Sequence, residues 1–514
     1  MSRTRSTDTV VLIVGGSIVG MSAALFLAAR GVAPVLVEKH PAVSTRPRAK
    51  LFYPRTMEAY RAVGADRDVY AVQRGLPPAD HAAVVETLFG EERRRWPLPA
   101  AADFSAVSPS PSAFVKQAGL EEVVRTHARA AGADLRLGHR MRDLRQDGDH
   151  VVAGIDGADG TAYTVTADYL LAADGNDSSV RAALGIGRGG AEPLAHVMEI
   201  AFAADLRPAL EGRRLALAFT DGPDHAFVSW QAAHDGGTVS VTYDPAVTGA
   251  DAFDGDRCRE IVARALGLPP SRFTVTGRRP WQMGGWVADS YGTDRVLLLG
   301  DAAHVTPPTG GFGANTGIQD AWNLAGRLVP VLRGGAGHRL LAGYEAERRA
   351  VGRLTVDQAL LRAADRSRTG THPALLSEAA VAIGYRYPAP GDRTGLPAAD
   401  EPDRWHGEPG TRLPHLPLAA GGASSSTLDL VPAARCLLLT GPDGGGWAAA
   451  ARRVDPLGAR VATHRIPPQD AGIAAACGIG ARGAVLVRPD HVVAWRAARA
   501  HREPASALAA ALPW

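Results

Sequence analysis

Residues 294–317 read DRVLLLGDAAHVTPPTGGFGANTG. An apolar strand, Val296 to Leu299, delivers Gly300 and a carboxylate, Asp301, and a Pro/Gly-rich turn then opens onto a helix beginning near Gly313. The first backbone N–H groups of a helix lack partners and carry partial positive charge, so such a start attracts anions. Asp301, at a strand end, is placed to accept hydrogen bonds from sugar-like hydroxyls. Any four of these residues would suit an ordinary strand–turn–helix connection, whereas the whole string rarely arises by chance.

A second signature lies near the N-terminus. Val10 to Val14 form a β-branched run that enters Gly15-Gly16-Ser17-Ile18-Val19-Gly20; an Ala/Leu-rich helix follows from Met21 to Arg30. Val35-Leu36-Val37 then reads as the next strand and ends in Glu38, with Lys39 beside it. This is the order of a dinucleotide-binding βαβ unit: glycines for a tight turn and close pyrophosphate approach, and an acid about 20 residues on for a ribose hydroxyl. Ser17 stands where the second glycine is usual, so its small side chain must point away from the phosphate. With the first stretch, this suits a flavin dinucleotide. A reduced isoalloxazine gathers negative charge at its N1–C2=O edge, where a helix start would favour it by about 0.3–2 kcal/mol.

Val10 to Ala29 carries no charge over a span long enough to cross a membrane, and Arg3 and Arg5 precede it like a signal peptide's basic end. The β-branched first half, the fingerprint glycines and the strand ending at Glu38 argue against that reading, so a soluble, cytoplasmic protein without membrane partners is expected. At 514 residues the chain can bury a large core and divide into two or three domains. Its 56 basic and 53 acidic side chains give a net charge of +3 and no reason to invoke nucleic acid. The basic residues are nearly all arginine, the lysines being Lys39, Lys50 and Lys116. Cys258, Cys436 and Cys477 are too few and too scattered for a disulfide framework, and no metal site is expected.

Between the signatures lie three further pieces. Arg46 and Arg48 follow the second strand and would bring guanidinium groups to the pyrophosphate, if they are not simply solvated. Gln117 opens an amphipathic helix (Leu120, Val123, Val124, His127) and is within reach of a ribityl hydroxyl. Tyr169 to Ala173 form another strand, ending in Asp174-Gly175 and followed by a turn with a cap-like serine and Arg181.

Together these residues resemble the FAD-dependent aromatic (polyketide) hydroxylases, the group A flavoprotein monooxygenases of the para-hydroxybenzoate hydroxylase fold. The resemblance rests on Gly15 to Gly20, Asp174 to Arg181 and Gly300 to Gly317, and covers roughly residues 8–385. It implies an α/β architecture: a Rossmann-like FAD-binding domain (1–75, 105–190 and 281–385), a β-sheet substrate-binding domain (76–104 and 191–280), a 386–425 linker and a C-terminal thioredoxin-like α/β domain (426–514). By the same resemblance Glu38 binds the adenosine ribose, Arg48 and Gln117 the pyrophosphate–ribityl region, and Met141 lies beside the adenine. Asp301 holds the ribityl chain, Pro307 lies over the reacting edge of the flavin, and the Gly313, Ala314 and Asn315 turn meets its pyrimidine edge.

The middle domain is expected from alternating stretches such as Ala226–Trp230 and Thr238–Tyr243, with Trp230, Tyr243, Trp281 and Trp286 as pocket candidates that would serve equally as core aromatics. Pro, Gly and Ser crowd the linker, and strands at 436–440, 459–464 and 484–487 follow. The C-terminal unit has no Cys-x-x-Cys pair, so thiol exchange is not implied. Its Gly478 to Gly483 matches the glycine pattern but precedes a strand, against a second nucleotide site.

The resemblance implies that NADPH or NADH reduces the flavin and leaves, and that molecular oxygen then gives a C4a-hydroperoxyflavin that hydroxylates a small aromatic, multi-ring phenolic or quinonoid substrate. Baeyer–Villiger oxygen insertion, and a flavin-holding protein that sequesters an intermediate, stand as alternatives. The sequence assigns no catalytic acid or base; His225 and His304 read as capping or core histidines, and a homodimer is compatible with the chain.

Overall fold

The computed structural model describes residues 5–42, 48–74, 79–98, 102–190, 193–230, 234–364, 372–388, 398–419 and 425–512; Arg46 lies outside them. The run Val11-Leu12-Ile13, fully buried, is the centre of a parallel sheet because apolar residues on both strand faces demand cover on both. Strand Arg5–Val14 pairs in parallel with Val35–Glu38 on one side and Ala162–Ala172 on the other, and Asp134–Leu137 extends the sheet beyond Val35–Glu38. The long strand Ala162–Ala172 then divides its far edge. Its first half pairs antiparallel with His150–Asp156, and its last three residues pair in parallel with Val296–Leu298.

This register decides where the site lies. Val14 is level with Ala172, and Ala172 with Leu298, so the loops starting at Gly15, Asp174 and Gly300 leave the same edge side by side. Ligands of open α/β sheets bind at such carboxyl ends. Helix Ile18–Ala28 crosses helix Gly313–Leu332 closely: a Cβ on Gly317 would come within 2.7 Å of Val19 Cγ2 and 3.0 Å of Gly300 Cα.

A second, seven-stranded sheet runs in the order Thr274–Met283, Ala195–Ala203, Gly236–Tyr243, Phe227–Trp230, Leu215–Thr220, His81–Val85, Glu92–Pro97. Helix Gly255–Leu266 covers one face, burying Met198, Ile200, Phe202, Val228, Val239 and Val241. Trp281 pairs with Val197 inside this sheet, so the sheet continues past the expected break at 280 to Met283.

The C-terminal unit follows a βαβαββα order. Strands Cys436–Thr440 and Val461–Arg465 are parallel, and Ala484–Val487 and Val493–Ala497 add antiparallel, with helices Gly445–Val454, Ala471–Ala476 and Pro504–Ala511 between and after them. That is the thioredoxin-like topology. The stretch read as a linker is, where described, packed structure: Thr411 and Leu413 are fully buried, and Leu413 joins the core of this unit with Leu416 and Leu418 against it. Its prolines and glycines shape turns, while the spaced leucines anchor them. Arg412 pairs with Glu58, Arg488 with Glu347, and the Arg30 guanidinium lies 3.9 Å over the Trp322 ring while donating to Ala433 O at 2.6 Å. The unit is thereby clamped onto the flavin-motif domain.

Candidate active site

The glycine loop is as tight as a cofactor-approaching turn requires. Gly15 has φ +102°, and a Cβ there would lie 2.2 Å from Ala173 O; one on Gly20 would lie 1.9 Å from Gly15 O. Ser17 takes the N-cap position of helix Ile18–Ala28 in an extended conformation, with no side-chain cap hydrogen bond. Glu38 closes the loop, accepting from Gly16 N at 2.6 Å and from His40 N at 2.8 Å, with Lys39 exposed beside it. His139 N donates to Glu38 O at 2.9 Å, which brings the neighbouring strand Arg140–Asp147, and Met141 on it, to the same end.

Gln117 begins helix Gln117–Ala130 as expected, but its side chain serves a residue that sequence reasoning did not select. Glu121 accepts from Gln117 Nε2 at 2.7 Å and from Ile18 N at 3.0 Å, so an acid stands at the start of the glycine-loop helix. Burial raises the Glu121 carboxyl above its ordinary value, while the Gln117 hydrogen bond and the Arg48 charge partly offset that rise. The signal was available: Glu121 lies one helical turn after Gln117. Arg48 is exposed and acts electrostatically on both Glu121 and Asp301, which ties the arginine to both flavin signatures.

Asp301 is solvent-accessible yet ringed by protein, and desolvation raises its carboxyl, with His304 and Arg48 opposing. Pro307 is buried in the turn that follows. Helix Gly313–Leu332 then starts with no acidic residue in its first turn and no side-chain cap, which leaves its N–H groups available to a ligand. Gly313 packs on Thr306 too closely for a Cβ, at 2.8 Å, and Ala314 is partly exposed. The Asn315 side chain is fully engaged: Oδ1 accepts from Tyr53 N and Thr56 Oγ1, and Nδ2 donates to Leu51 O and Gly311 O. Its backbone, not its amide group, is therefore what it can offer a flavin.

Asp174 turns inward. Oδ2 accepts from Ser179 Oγ and Val180 N, capping the short helix Ser179–Ala183, while Oδ1 is buried without a partner among the described residues. Arg181 from that helix donates to Ala302 O at 3.0 Å and to Asn176 O at 2.9 Å, binding the Asp174 loop to the Asp301 loop. His304 is a core residue, its Nε2 2.7 Å from Asp320 Oδ2, and Asp320 also receives Arg348 Nε at 2.7 Å and Gly300 N at 3.1 Å. Burial alone would raise the Asp320 carboxyl, but His304 and Arg348 outweigh it and hold it below the usual range. His225 sits in a turn with φ +42°.

The four aromatic pocket candidates are not brought together. Trp230 and Tyr243 belong to the helix-covered core of the second sheet, Tyr243 packing 5.2 Å from Phe253. Trp286 lies in a separate small sheet with Arg188–Gly190 and His304–Val305, its ring flanked by Arg181 at 4.6 Å and Arg188 at 4.9 Å. Only Trp281, level with Val197, shares the sheet face opposite the helix. Strand alternation explains the correction: Val228 and Trp230 point one way, Phe227 and Ser229 the other. Lys50, beside the flavin loops, reaches Ser229 Oγ at 2.7 Å, so this second face is the one turned to them. It carries a row of rings sequence reasoning did not pick out, Trp96 on Phe219 at 6.1 Å and Phe219 on Phe227 at 5.2 Å.

The glycine clearances, the uncapped helix start and the accessible Asp301 and Arg48 all fit FAD. The comparison with known proteins agrees, since the pattern of the FAD binding domain matches residues 8–359 and that of the aromatic-ring hydroxylase C-terminal domain matches residues 406–513. The chain belongs to the FAD-dependent aromatic-ring hydroxylases. It is a flavin monooxygenase by that membership. It is 38% identical to a tetracenomycin A2 monooxygenase-dioxygenase of Streptomyces glaucescens, over 99% of this chain and 97% of that one. It is 37% identical to a 4-methyl-5-nitrocatechol 5-monooxygenase of Burkholderia, over 98% and 96%. A solved ternary complex of aklavinone-11 hydroxylase with FAD and aklavinone superposes with a TM-score of 0.89 at 33% identity, covering 98% of both chains. Among the described residues no helix is long and apolar enough to cross a membrane, and no cluster of potential metal ligands occurs.

Proposed function

We propose that this hydroxylase inserts one atom of molecular oxygen into a multi-ring phenolic or quinonoid substrate of the aromatic polyketide type, with NADPH or NADH as reductant. The observation that carries the reading is the flavin-facing side of the second sheet. Its row of Trp96, Phe219 and Phe227 rings offers stacking to a flat polycycle, and the hydroxyl of Ser229 on the same strand as Phe227 offers a polar end. The likeness over nearly whole chains to a monooxygenase-dioxygenase named for tetracenomycin and a hydroxylase named for aklavinone supports the same substrate class.

FAD would be held by the Gly15 to Gly20 loop, Glu38, Arg48, Asp301 and the start of helix Gly313–Leu332, and would supply the oxygen-activating chemistry there. The chain's own contribution is placement and exclusion of water. Asn315 pins the helix start to Leu51 and Tyr53, and Arg181 ties the Asp174 loop to the Asp301 loop, so the groups around the flavin are fixed before substrate arrives. FAD-loaded protein given NADPH, oxygen-18 gas and a panel of polyhydroxyanthraquinones should yield a product heavier by one labelled oxygen atom. Consumption of NADPH that yields only hydrogen peroxide with every member would overturn the substrate class.

A further inference from the structure

This chain meets nearly every need for positive charge with arginine, and its lysines are Lys39, Lys50 and Lys116. Two of these three stand together where the flavin loops meet the second sheet. Lys50 precedes Leu51, whose carbonyl Asn315 Nδ2 holds at 3.0 Å at the helix start. Its backbone carbonyl accepts from Val115 N, one residue before Lys116. Its side chain crosses to the other domain, where Nζ lies 2.7 Å from Ser229 Oγ, 3.2 Å from Trp230 O and 3.5 Å from Ala216 O. Lys50 thus bridges the flavin helix start and the ring-lined sheet within two residues of chain.

All three acceptors are neutral. Among the described residues no carboxylate pairs with Lys50, and the charge that acts on it is Lys116, itself a cation. Asp235 acts on Lys116 and His234, and Asp205 on His234. A partly buried amine beside a cation, with no counter-ion, is held toward its neutral, proton-accepting form and becomes a stable ammonium where a ligand brings an anion beside it. Burial and the Lys116 charge push the Lys50 amine down to about 7, and burial lowers Lys116 to about 8. Arginine in this place would stay charged and could accept no proton.

We propose that Lys50 receives the proton of a substrate phenol and then binds the resulting phenolate, with Lys116 as the flanking charge. This rests on the hydroxylase reading above. In the step the phenolic O–H bond breaks, its electron pair stays on oxygen, and an N–H bond forms on Lys50; the ring becomes more electron-rich at the carbons ortho and para to that oxygen. The ammonium returns the proton to the product phenol on release, so no other reactant is needed. Ser229 Oγ, which can donate or accept, accommodates both states of the amine.

The scarcity of lysine makes the test direct. Holoenzyme carrying [ε-13C]lysine should show three side-chain signals, assigned by Lys→Arg variants. The Lys50 signal should titrate near neutrality, and at mildly alkaline pH alizarin should drive it to the ammonium position while the visible band of the bound dye becomes that of the anion. Lys50→Met should weaken binding of the anion by roughly tenfold or more. Lys50→Arg should restore binding but abolish the pH dependence of alizarin ionisation on the protein. Alizarin that perturbs the flavin spectrum while Lys50 keeps its free titration, or that binds Lys50→Met as an anion equally well, overturns the inference and leaves the hydroxylase reading intact. If alizarin, quinizarin and emodin all fail to perturb the flavin spectrum or to accelerate NADPH oxidation, the substrate class falls and the inference falls with it.

Discussion

Arg412 donates to Glu58 Oε1 at 3.0 Å, and neither side chain is more than 7% exposed. Glu58 also accepts from Ser108 Oγ and from Arg55, so one carboxylate serves two guanidinium groups from distant parts of the chain. Removing one partner of a buried pair leaves the other charge uncompensated. Glu58→Ala should therefore lower unfolding free energy by about 3–5 kcal/mol and expose the 398–419 stretch to protease at temperatures the parent protein tolerates. Denaturant titration would check this; a loss under about 1 kcal/mol would mean that the pair behaves like a surface contact.

Acid sensitivity should trace to Glu347. Burial alone would raise this carboxyl, but Arg327 and Arg488, at 2.7 and 2.6 Å, outweigh it and hold it well below the carboxylate range. A depressed folded value means stability that is complete above the unfolded value of about 4.3 and is lost as pH falls toward the folded one. Glu347→Gln should lower the urea midpoint at neutral pH and flatten its decline in acid. A variant whose midpoint falls as steeply as the parent's would contradict the assignment.

Cofactor retention should depend on Glu38. Its carboxylate now holds Gly16 N and is the acid expected to meet the ribose. Loss of a charge-assisted bond of about 1.5–3 kcal/mol in Glu38→Ala should weaken FAD binding by roughly one to two orders of magnitude, read from flavin fluorescence after dialysis. Ser17→Gly should bind FAD as tightly or more so.

The helix start at Gly313 should set the flavin potential. An added carboxylate there, in Ala314→Asp, opposes negative charge on the reduced ring by about 0.3–2 kcal/mol, so spectroelectrochemistry should give a lower reduction potential. An unchanged or raised potential with FAD still bound would displace this helix from the pyrimidine edge. Asp301→Ala should give folded protein depleted in flavin.

Thiol chemistry should be absent. Cys258, Cys436 and Cys477 are all buried, and burial pushes the Cys477 thiol up to about 12 and Cys436 higher still. Replacing all three with alanine should cost about 1–3 kcal/mol of stability and leave substrate-dependent NADPH oxidation intact. Lost turnover in a folded, flavinylated variant would place a cysteine in the chemistry.

The strand ends and helix starts of the flavin loops were legible in the sequence because they depend on local signals: a β-branched run, glycines at fixed spacing and an acid one strand later. The helices at Gln117 and Gly313 begin at or near the residues that periodicity indicates. Side-chain destinations were less legible because they depend on which sheet face meets which domain. Trp230, expected as a pocket wall, packs into the core of the second sheet with its ring 5.8 Å from Lys50 Nζ, while Ser229, its neighbour on the same strand, meets that amine directly. The leucines at 413, 416 and 418 were hidden among prolines and glycines, whose turns fold that stretch into the C-terminal core.

The Arg30 contact sets a rule for recombining such enzymes. Its guanidinium spans the Trp322 ring and the carbonyls of Ala433 and Pro489, so residues from the beginning, middle and end of the gene meet around one side chain. A chimaera that exchanges everything after residue 405 between two relatives would have to carry Arg30, Arg55, Glu58 and Glu347 as a matched set, since the crossover point is contiguous in DNA but the interface it cuts is not.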